Sequence, residues 1–242
     1  MTRLRIFGAG MRGGLVADLV RWQFSDSIEI EGFYEDRELP DGKGPFDYPV
    51  LGKIEDGLAE IGGTGAQAFV AYGTKASAGA CELLMRLEAA DVPLASIVSP
   101  GANVFPSARI GRNALVFPGA YIGSEVAVGD LLCAHGNAVI EHHCTIGHNV
   151  LLGPGVSLSN SVNVWSHCFF GAAVSSIPET IIGCGTVVGA GAAIIEDLPP
   201  HSVAAGRPAQ VLRAVTGDDE VPTKEEIALL KEKGMGECVV RE

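Results

Sequence analysis

The sequence of 242 residues predicts two structural classes in one chain, an α/β domain followed by a parallel β-helix. Up to about residue 100, short apolar runs typical of β-strands alternate with helical stretches, which indicates a parallel sheet covered by helices. From Val104 onward, large apolar residues recur at every sixth position, a period typical of a solenoid of short strands and tight turns. We therefore expect an α/β domain at 1–100, a β-helix at 101–212 and a tail at 213–242.

The first domain has room for only half of a dinucleotide-binding fold. Its strand-like runs are LRIFGA, SIEIEGFYE, AQAFVAYG and PLASIV, and its helical stretches are GGLVADLVRWQ, KIEDGLAEI and ACELLMRLEAA. A full dinucleotide-binding domain uses six strands in two mononucleotide halves. With about four strands, we expect a half-Rossmann-like domain that suits a mononucleotide better than NAD.

A glycine-rich turn follows the first strand-like run. In RIFGAGMRGG, Gly8, Gly10 and Gly13 have the spacing G-x-G-x-x-G, which permits a tight strand-to-helix turn and a close approach of backbone N–H groups to a phosphate. Glu35 and Asp36 close the second strand, where an acidic side chain reads a ribose in dinucleotide enzymes. An NAD-dependent oxidoreductase is therefore an alternative, although the second half of its fold is missing.

The second domain is defined by its six-residue register. Among the positions from Ile110 to Ile194 in steps of six, only Ala134 and Ser176 are not large apolar residues. Two positions before most of these residues stands a small or β-branched residue. Both sets must share an interior, and three strands make a coil of about eighteen residues. Glycine follows the large residue at Gly111, Gly123, Gly129, Gly147, Gly153, Gly171, Gly183 and Gly189, where we expect a backbone corner that excludes Cβ.

Composition excludes several classes of partner. A net charge of −12 argues against nucleic acid, because phosphates need a basic surface. With no apolar run of membrane-spanning length and no signal peptide, we expect a cytoplasmic protein without a membrane partner. The six cysteines form no C-x-x-C pair, which favours free thiols over a zinc site. In the tail, Thr223 and Glu226 form a capping box that predicts a short helix.

The run AVIEHHCTIG, the hexads and the terminal VVGAGAAIIEDLPPHSVAAGRPAQVL resemble the acetyltransferases that modify nucleotide-linked amino sugars. The similarity covers residues 3 to about 212. This family includes the bacillosamine-pathway and perosamine N-acetyltransferases and the sialic acid O-acetyltransferases. The resemblance implies a left-handed parallel β-helix, direct transfer from acetyl-coenzyme A to a sugar amine, and a homotrimer whose active sites lie between adjacent β-helices.

The resemblance also implies roles for individual residues. His142 matches the general base, which removes a proton as nitrogen attacks the thioester. Some relatives carry a carboxylate where this chain has His143, so that His143 and Glu141 are the candidates for orienting the base. The coenzyme A candidates are Leu151, Ala172 and Ala190, through backbone and apolar contacts, and Arg207 and Arg213, through phosphates. The matching positions for the nucleotide sugar are Gly10, Met11, Arg12, Glu35, Asp36 and Gly73.

The sequence is also compatible with other functions. Within the family, the acceptor could be a hydroxyl, as in a sugar O-acetyltransferase. On the same solenoid, a metal hydratase like the gamma-class carbonic anhydrases would use His143 and His148 in H-x4-H spacing, but His167 lies 24 residues after His143 rather than at a multiple of eighteen. We therefore expect no metal. A scaffold without activity does not explain the histidine pair.

Overall fold

The computed structural model describes residues 1–72, 77–217, 219 and 221. The chain divides into two compact units, Met1–Ile97 and Val98–Glu242. The predicted tail helix at Thr223 and Glu226 lies outside the described residues.

The first unit is built on a parallel four-stranded sheet with the order β3-β2-β1-β4. The strands are β1 Thr2–Phe7, β2 Ile28–Tyr34, β3 Val50–Gly52 and β4 Gln67–Val70, and the helices are α1 Met11–Gln23, α2 Ile54–Glu60 and α3 Ser77–Ala89. Short 3-10 helices lie at Pro40–Gly42, Pro45–Asp47 and Ile61–Gly63. The chain runs from β1 outward to β3 and then returns to the other side of β1 as β4, so that the strand order reverses between β1 and β4. In open α/β sheets, ligands bind beyond the carboxyl ends of the strands at such a reversal.

The predicted half-Rossmann-like arrangement is confirmed, with one difference in the strands. The run PLASIV is not a strand of this sheet: Leu94 forms an isolated bridge with Ala68, and Ile97–Val98 form β5 of a different sheet. The fourth strand is β3, which the apolar pattern missed. Three residues at a partly exposed sheet edge are too few to show a period.

The second unit is a parallel β-helix with three sheets and strands of mostly two residues. The first β-helix sheet contains β7 Arg109–Ile110, β10 Ala127–Val128, β13 Thr145–Ile146, β16 Asn163–Val164 and β19 Ile181–Ile182. The second contains β5 Ile97–Val98, β8 Leu115–Val116, β11 Cys133–Ala134, β14 Leu151–Leu152, β17 Phe169–Phe170, β20 Val187–Val188, β22 Ser202–Ala205 and β23 Gln210–Ala214. The third contains β6 Asn103–Val104, β9 Tyr121–Ile122, β12 Val139–Ile140, β15 Ser157–Leu158, β18 Ser175–Ser176 and β21 Ala193–Ile194.

The strand register confirms the predicted coil length. Ala127 pairs with Thr145 and Thr145 pairs with Asn163, so each coil advances by eighteen residues. The large apolar set and most of the small set share one buried interior. At the exceptional Ser176, the hydroxyl accepts a hydrogen bond from the backbone N–H of Ser159, which satisfies a polar side chain at an inward position.

The chain turns at three corners in each coil. Corner 1 follows the second β-helix sheet, corner 2 follows the third and corner 3 follows the first. A residue with positive φ stands at every sixth position, namely Asn113, Gly119, Glu125, Leu131, Asn137, His143, Asn149, Gly155, Ser161, His167, Ala173, Glu179, Gly185 and Gly191. Each corner therefore uses one left-handed residue, and most of these are not glycine.

The predicted corner glycines are needed for stacking rather than for their own dihedral angles. Gly147 comes two residues before the left-handed Asn149, and its own φ is not positive. A Cβ on Gly147 would lie 2.5 Å from the backbone nitrogen of Ser166 in the next coil. The expectation that these positions exclude Cβ is thus right, but the cause is the close approach of the following coil.

We expect Gly147→Ala to lower the free energy of unfolding of the β-helix by about 1–3 kcal/mol, because the backbone of the next coil must shift. The matched control is Gly136→Ala at corner 1, where a Cβ would meet its nearest atom, the oxygen of Pro118, at an ordinary 3.5 Å. Urea unfolding followed by the fluorescence of Trp165, in a Trp22→Phe background, measures both. Equal costs for the two substitutions would contradict the stacking argument.

Among the described residues, no helix has both the length and the apolar character needed to cross a bilayer.

Candidate functional site

The glycine-rich turn joins the carboxyl end of β1 to the start of α1. Gly8 adopts a φ of +108°, and Gly10 is the N-cap residue of α1 without any side-chain cap. A Cβ on Gly13 would collide with the backbone oxygen of Gly8, so helix and turn pack in direct contact. Met11 is 88% exposed and Arg12 partly exposed on the first turn of the helix. The turn therefore presents backbone N–H groups and a cation, as an anion site requires.

Glu35 fastens this turn to Arg37. Its Oε2 accepts hydrogen bonds from the backbone N–H of Ala9 at 2.9 Å and from Nη2 of Arg37 at 2.8 Å. Its Oε1 accepts from the backbone N–H and Nε of Arg37. The Arg37 guanidinium lowers the pKa of Glu35 to about 2. The ionised carboxylate of Glu35 thus holds the turn and Arg37 together. The exposed guanidinium of Arg37 is the positive charge that lies next to Gly10.

Asp36 points to a different element from its neighbour. Its Oδ1 accepts a hydrogen bond from the backbone N–H of Ile54 at 3.0 Å, which caps the N-terminus of α2 together with Asp56. Gly73 lies outside the described residues, but Tyr72 directly before it packs its ring against Gly8. Burial, together with the charges of Asp36 and Glu35, raises the pKa of Tyr72 to about 12.

Sequence reasoning missed Arg37 and Tyr72. Both follow the carboxyl ends of strands, β2 and β4, where ligands of open α/β sheets bind. For Tyr72, this position at the carboxyl end of a strand is the sequence feature that could have identified it. For Arg37 the signal was its place two residues after Glu35, a spacing that lets the two side chains meet.

We expect Glu35→Gln to destabilise the first unit by about 1–3 kcal/mol at neutral pH, because it weakens charge-assisted hydrogen bonds. The folded-state pKa lies below the ordinary value of 4.5, so the contribution is complete above about pH 4.5 and is lost as the pH falls through about 2. The difference in the free energy of unfolding between wild type and variant should therefore become smaller as the pH falls over that range. Urea unfolding followed by circular dichroism at 222 nm measures it.

The control is Glu55→Gln, which breaks the exposed Glu55–Arg86 ion pair. An exposed pair contributes little to stability, because water and salt screen its charges. If the loss of unfolding free energy in Glu35→Gln stays constant with pH, or only equals the loss in the control, Glu35 does not stabilise the turn.

In the second unit, the histidine pair forms one turn at corner 2. His142 and His143 are both exposed, and His143 occupies the left-handed position with a φ of +60°. The two Nδ1 atoms lie 3.0 Å apart, and the rings are perpendicular, with centroids 5.1 Å apart. The imidazole of His142 thus faces away from the coil interior.

The backbone of this turn is held by both neighbouring coils. The N–H of His143 donates to the carbonyl of Ser124, and the carbonyl of His142 accepts from the N–H of Ser161. Glu141 contacts the backbone N–H of His142 at 3.4 Å rather than its ring. Buried Cys144 donates from Sγ to the carbonyl of Ser159, and burial raises its pKa to about 11, so it stays a thiol.

The remaining histidines of the metal alternative are engaged elsewhere. Nδ1 of His148 accepts a hydrogen bond from the backbone N–H of Asp130 at corner 3. His167 is buried, with its Nδ1 3.0 Å from Nδ2 of Asn149. Within the described ranges, His, Cys, Asp and Glu form no group of three that could hold a metal ion.

Three of the coenzyme A candidates lie along corner 1. Ala172 and Ala190 are exposed at equivalent places on successive coils, and Nε of Arg207 donates to the carbonyl of Gly191 at 2.6 Å. Leu151 is half-buried in β14, on the coil before Ala172. Arg213 instead makes a bidentate ion pair with Asp219. The coenzyme A candidates and His142 therefore occupy different corners of the β-helix.

Solved structures of other proteins share the fold over most of this chain. No protein-family model matches the chain. PerB from Caulobacter crescentus, solved in complex with CoA and GDP-perosamine, is 27% identical, with a TM-score of 0.77 over 88% of this chain and 98% of that chain. The acetyltransferase domain of PglB from Neisseria gonorrhoeae, in complex with acetyl coenzyme A, is 27% identical, with a TM-score of 0.78 over 87% and 98%.

A curated relative points in the same direction. Galactoside O-acetyltransferase from Escherichia coli is 32% identical in an alignment of 135 residues, which covers 47% of this chain. The chain spans 66% of the length of that relative, which is less than two thirds. These findings support an acetyltransferase and confirm the resemblance and the left-handed fold. The relatives and structural neighbours of this chain are hexapeptide-repeat acetyltransferases.

Proposed function

We propose that this chain is an acetyl-coenzyme A-dependent N-acetyltransferase that acts on a nucleotide-linked amino sugar, with His142 as the general base. The observation that supports the proposal is the exposed ring of His142, whose Nδ1 contacts Nδ1 of His143, so that Nε2 is the ring nitrogen left to act on a substrate. Complexes of similar proteins support it, since PerB was solved with CoA and GDP-perosamine, and the PglB domain with acetyl coenzyme A.

The reaction needs a base rather than a covalent intermediate. The neutral amine of the sugar attacks the thioester carbonyl, a C–N bond forms and the C–S bond breaks. Nε2 of His142 takes the proton that leaves the nitrogen and returns it to the sulfur of coenzyme A. Imidazole suits this cycle because one ring nitrogen can take up and release a proton while the other keeps its hydrogen bond.

In this proposal the first unit binds the nucleotide. The uncapped N-terminus of α1, Arg12 and Arg37 together provide backbone donors and two cations for a pyrophosphate. Gly10 and Met11 contribute backbone at the same turn. Glu35 and Asp36 act through Arg37 and α2, so their expected contact with the nucleoside is better assigned to the neighbouring Arg37 and Tyr72.

The positions of the two sets of candidate residues in the second unit support an active site that is shared between two chains. His142 lies at corner 2, whereas Ala172, Ala190 and Arg207 line corner 1. Consecutive corners are separated by six residues, up to about 20 Å of extended chain. We propose that coenzyme A bound along corner 1 of one chain meets His142 of a neighbouring chain in a homotrimer.

An O-acetyltransferase is the second candidate, because the curated relative is a galactoside O-acetyltransferase. The assay that separates the two follows thiol release from acetyl-coenzyme A with a panel of acceptors. UDP-, GDP-, dTDP- and CMP-linked amino sugars, their hydroxyl analogues and free galactosides form this panel. Acetylation of an amine on a nucleotide sugar supports the proposal. Transfer only to hydroxyls, or no transfer to any acceptor, contradicts it.

A further inference from the structure

We propose that His143 is a positioning residue that, through a shared proton, couples its own tautomer to that of His142. The inference rests on the proposed function, because it assigns a role beside the base of that reaction. Its basis is the 3.0 Å separation of the two Nδ1 atoms in perpendicular rings. At this distance the atoms share a hydrogen bond, so one proton lies between them.

A shared proton restricts the protonation states of the pair. A neutral imidazole carries one N–H, so when His142 donates from Nδ1, its Nε2 is unprotonated and can act as a base. His143 then accepts at Nδ1 and carries its own proton on Nε2. In the opposite arrangement His143 donates, and Nε2 of His142 is already protonated. Only the first arrangement is competent for proton removal.

A proton taken from the substrate fits the competent arrangement. Nε2 of His142 gains the proton, Nδ1 keeps its hydrogen bond to His143, and the charge is stabilised by a charge-assisted contact. A second added proton would put N–H groups on both Nδ1 atoms and break the contact. The pair can thus hold one extra proton, which it gives back to the sulfur of coenzyme A.

This arrangement differs from a histidine fixed by a carboxylate. A carboxylate only accepts, so it permits a single neutral tautomer, whereas His143 permits both. The titratable groups around the turn are Glu141 on the same turn and Glu125, which holds the same turn position one coil earlier. Ser161 holds that position one coil later, and Cys144 is a buried thiol. The ring of His142 makes its hydrogen bond to the ring of His143 rather than to either glutamate.

The fold itself supplies suitable variants. Ala173 has a φ of +57° at the turn position that corresponds to His143, so His143→Ala is compatible with this backbone. Aspartate tolerates left-handed dihedral angles as well. Ser161→Ala, at the same position in the next coil, is the matched control for changing a side chain at this turn.

The first test compares kinetics across pH with acetyl-coenzyme A and the best acceptor. We expect His143→Ala to lower kcat by between about 10-fold and the 10⁴-fold loss that a wrong tautomer causes in the serine-protease triad, with KM unchanged. We expect His143→Asp to restore kcat and to move the acid limb of the pH–rate profile to higher pH, because an anion stabilises the imidazolium. Ser161→Ala should match wild type.

The second test needs no turnover. Nitrogen-15 NMR of the histidine rings distinguishes Nδ1–H from Nε2–H tautomers in the full-length protein. We expect complementary tautomers for residues 142 and 143 in wild type, and only Nδ1–H at His142 in His143→Asp. Two Nε2–H rings in wild type would overturn the inference.

The outcomes separate the two proposals. An active His142→Ala variant overturns the proposed function. An inactive His142→Ala together with a fully active His143→Ala overturns only the role of His143. Loss of activity in His143→Ala that His143→Asp does not rescue, with an unchanged pH profile, assigns the residue to turn structure and also overturns the inference.

Discussion

His142→Ala is expected to lower kcat by about 10²- to 10⁴-fold, the range that general base catalysis contributes, while KM for both substrates stays close to wild type. The side chain is exposed at corner 2, so its removal opens no cavity in the β-helix core. The backbone contacts of the turn run through Ser124 and Ser161 and persist in the variant. Steady-state kinetics with varied acetyl-coenzyme A and varied acceptor measure the effect.

The control for this prediction is another histidine at the equivalent place in a hexad. His148 occupies corner 3, where it accepts a hydrogen bond from the backbone of Asp130. His148→Ala should cost about 0.5–1.5 kcal/mol of stability and leave kcat unchanged. If both substitutions reduce kcat alike, or if His142→Ala retains near-normal turnover, His142 is not the base.

The same variant tests whether active sites are shared between chains. Ala190→Trp places a large side chain on the exposed line proposed for coenzyme A. Each variant alone should be inactive. If the two variants are mixed in equal amounts and assemble at random into the proposed trimer, about a quarter of the interfaces join an intact His142 to an intact corner 1. Activity should then return to about a quarter of the wild-type value. No recovery on mixing would place the site within one chain.

The regular part of this fold could be predicted because its period leaves few choices. A coil of eighteen residues returns Ala127, Thr145 and Asn163 to the same sheet, and a slip of one residue would expose the whole buried set. Ser176 breaks the apolar pattern without breaking the register, since Ser159 satisfies its hydroxyl. Repetition therefore determines the second unit more tightly than any single residue does.

The contacts within the candidate sites could not be predicted in the same way. Alternation along a strand suggests that neighbours such as Glu141, His142 and His143 face opposite sides. His143 instead adopts a left-handed conformation in a turn, which brings its ring to that of His142. Likewise, Glu35 and Asp36 are adjacent acids with separate partners, Arg37 and α2. Such pairings depend on turn geometry, which the apolar period does not encode.

Gly13→Ala is expected to destabilise the first unit by about 1–3 kcal/mol, because the new Cβ would collide with the backbone oxygen of Gly8 and press on the ring of Phe33. A backbone oxygen cannot swing away as a side chain can, so α1 must move from β1. Thermal unfolding followed at 222 nm measures the loss. Binding of GDP and UDP, measured by calorimetry, should weaken in parallel because the helix N-terminus moves with α1.

Gly10→Ala tests whether the two glycines have different roles, with Gly13 needed for packing and Gly10 for binding the nucleotide. Gly10 has a φ of −77°, which any residue adopts, and its Cβ would first meet the flexible end of Arg37 at 3.5 Å. We expect nearly wild-type stability but weaker nucleotide binding, since the methyl group would stand between the turn and a phosphate. Equal stability losses at Gly10 and Gly13 would contradict this division. Unchanged nucleotide affinity in Gly10→Ala would mean that the G-x-G-x-x-G spacing serves only the packing of α1 on β1, and the nucleotide site would then have to lie elsewhere.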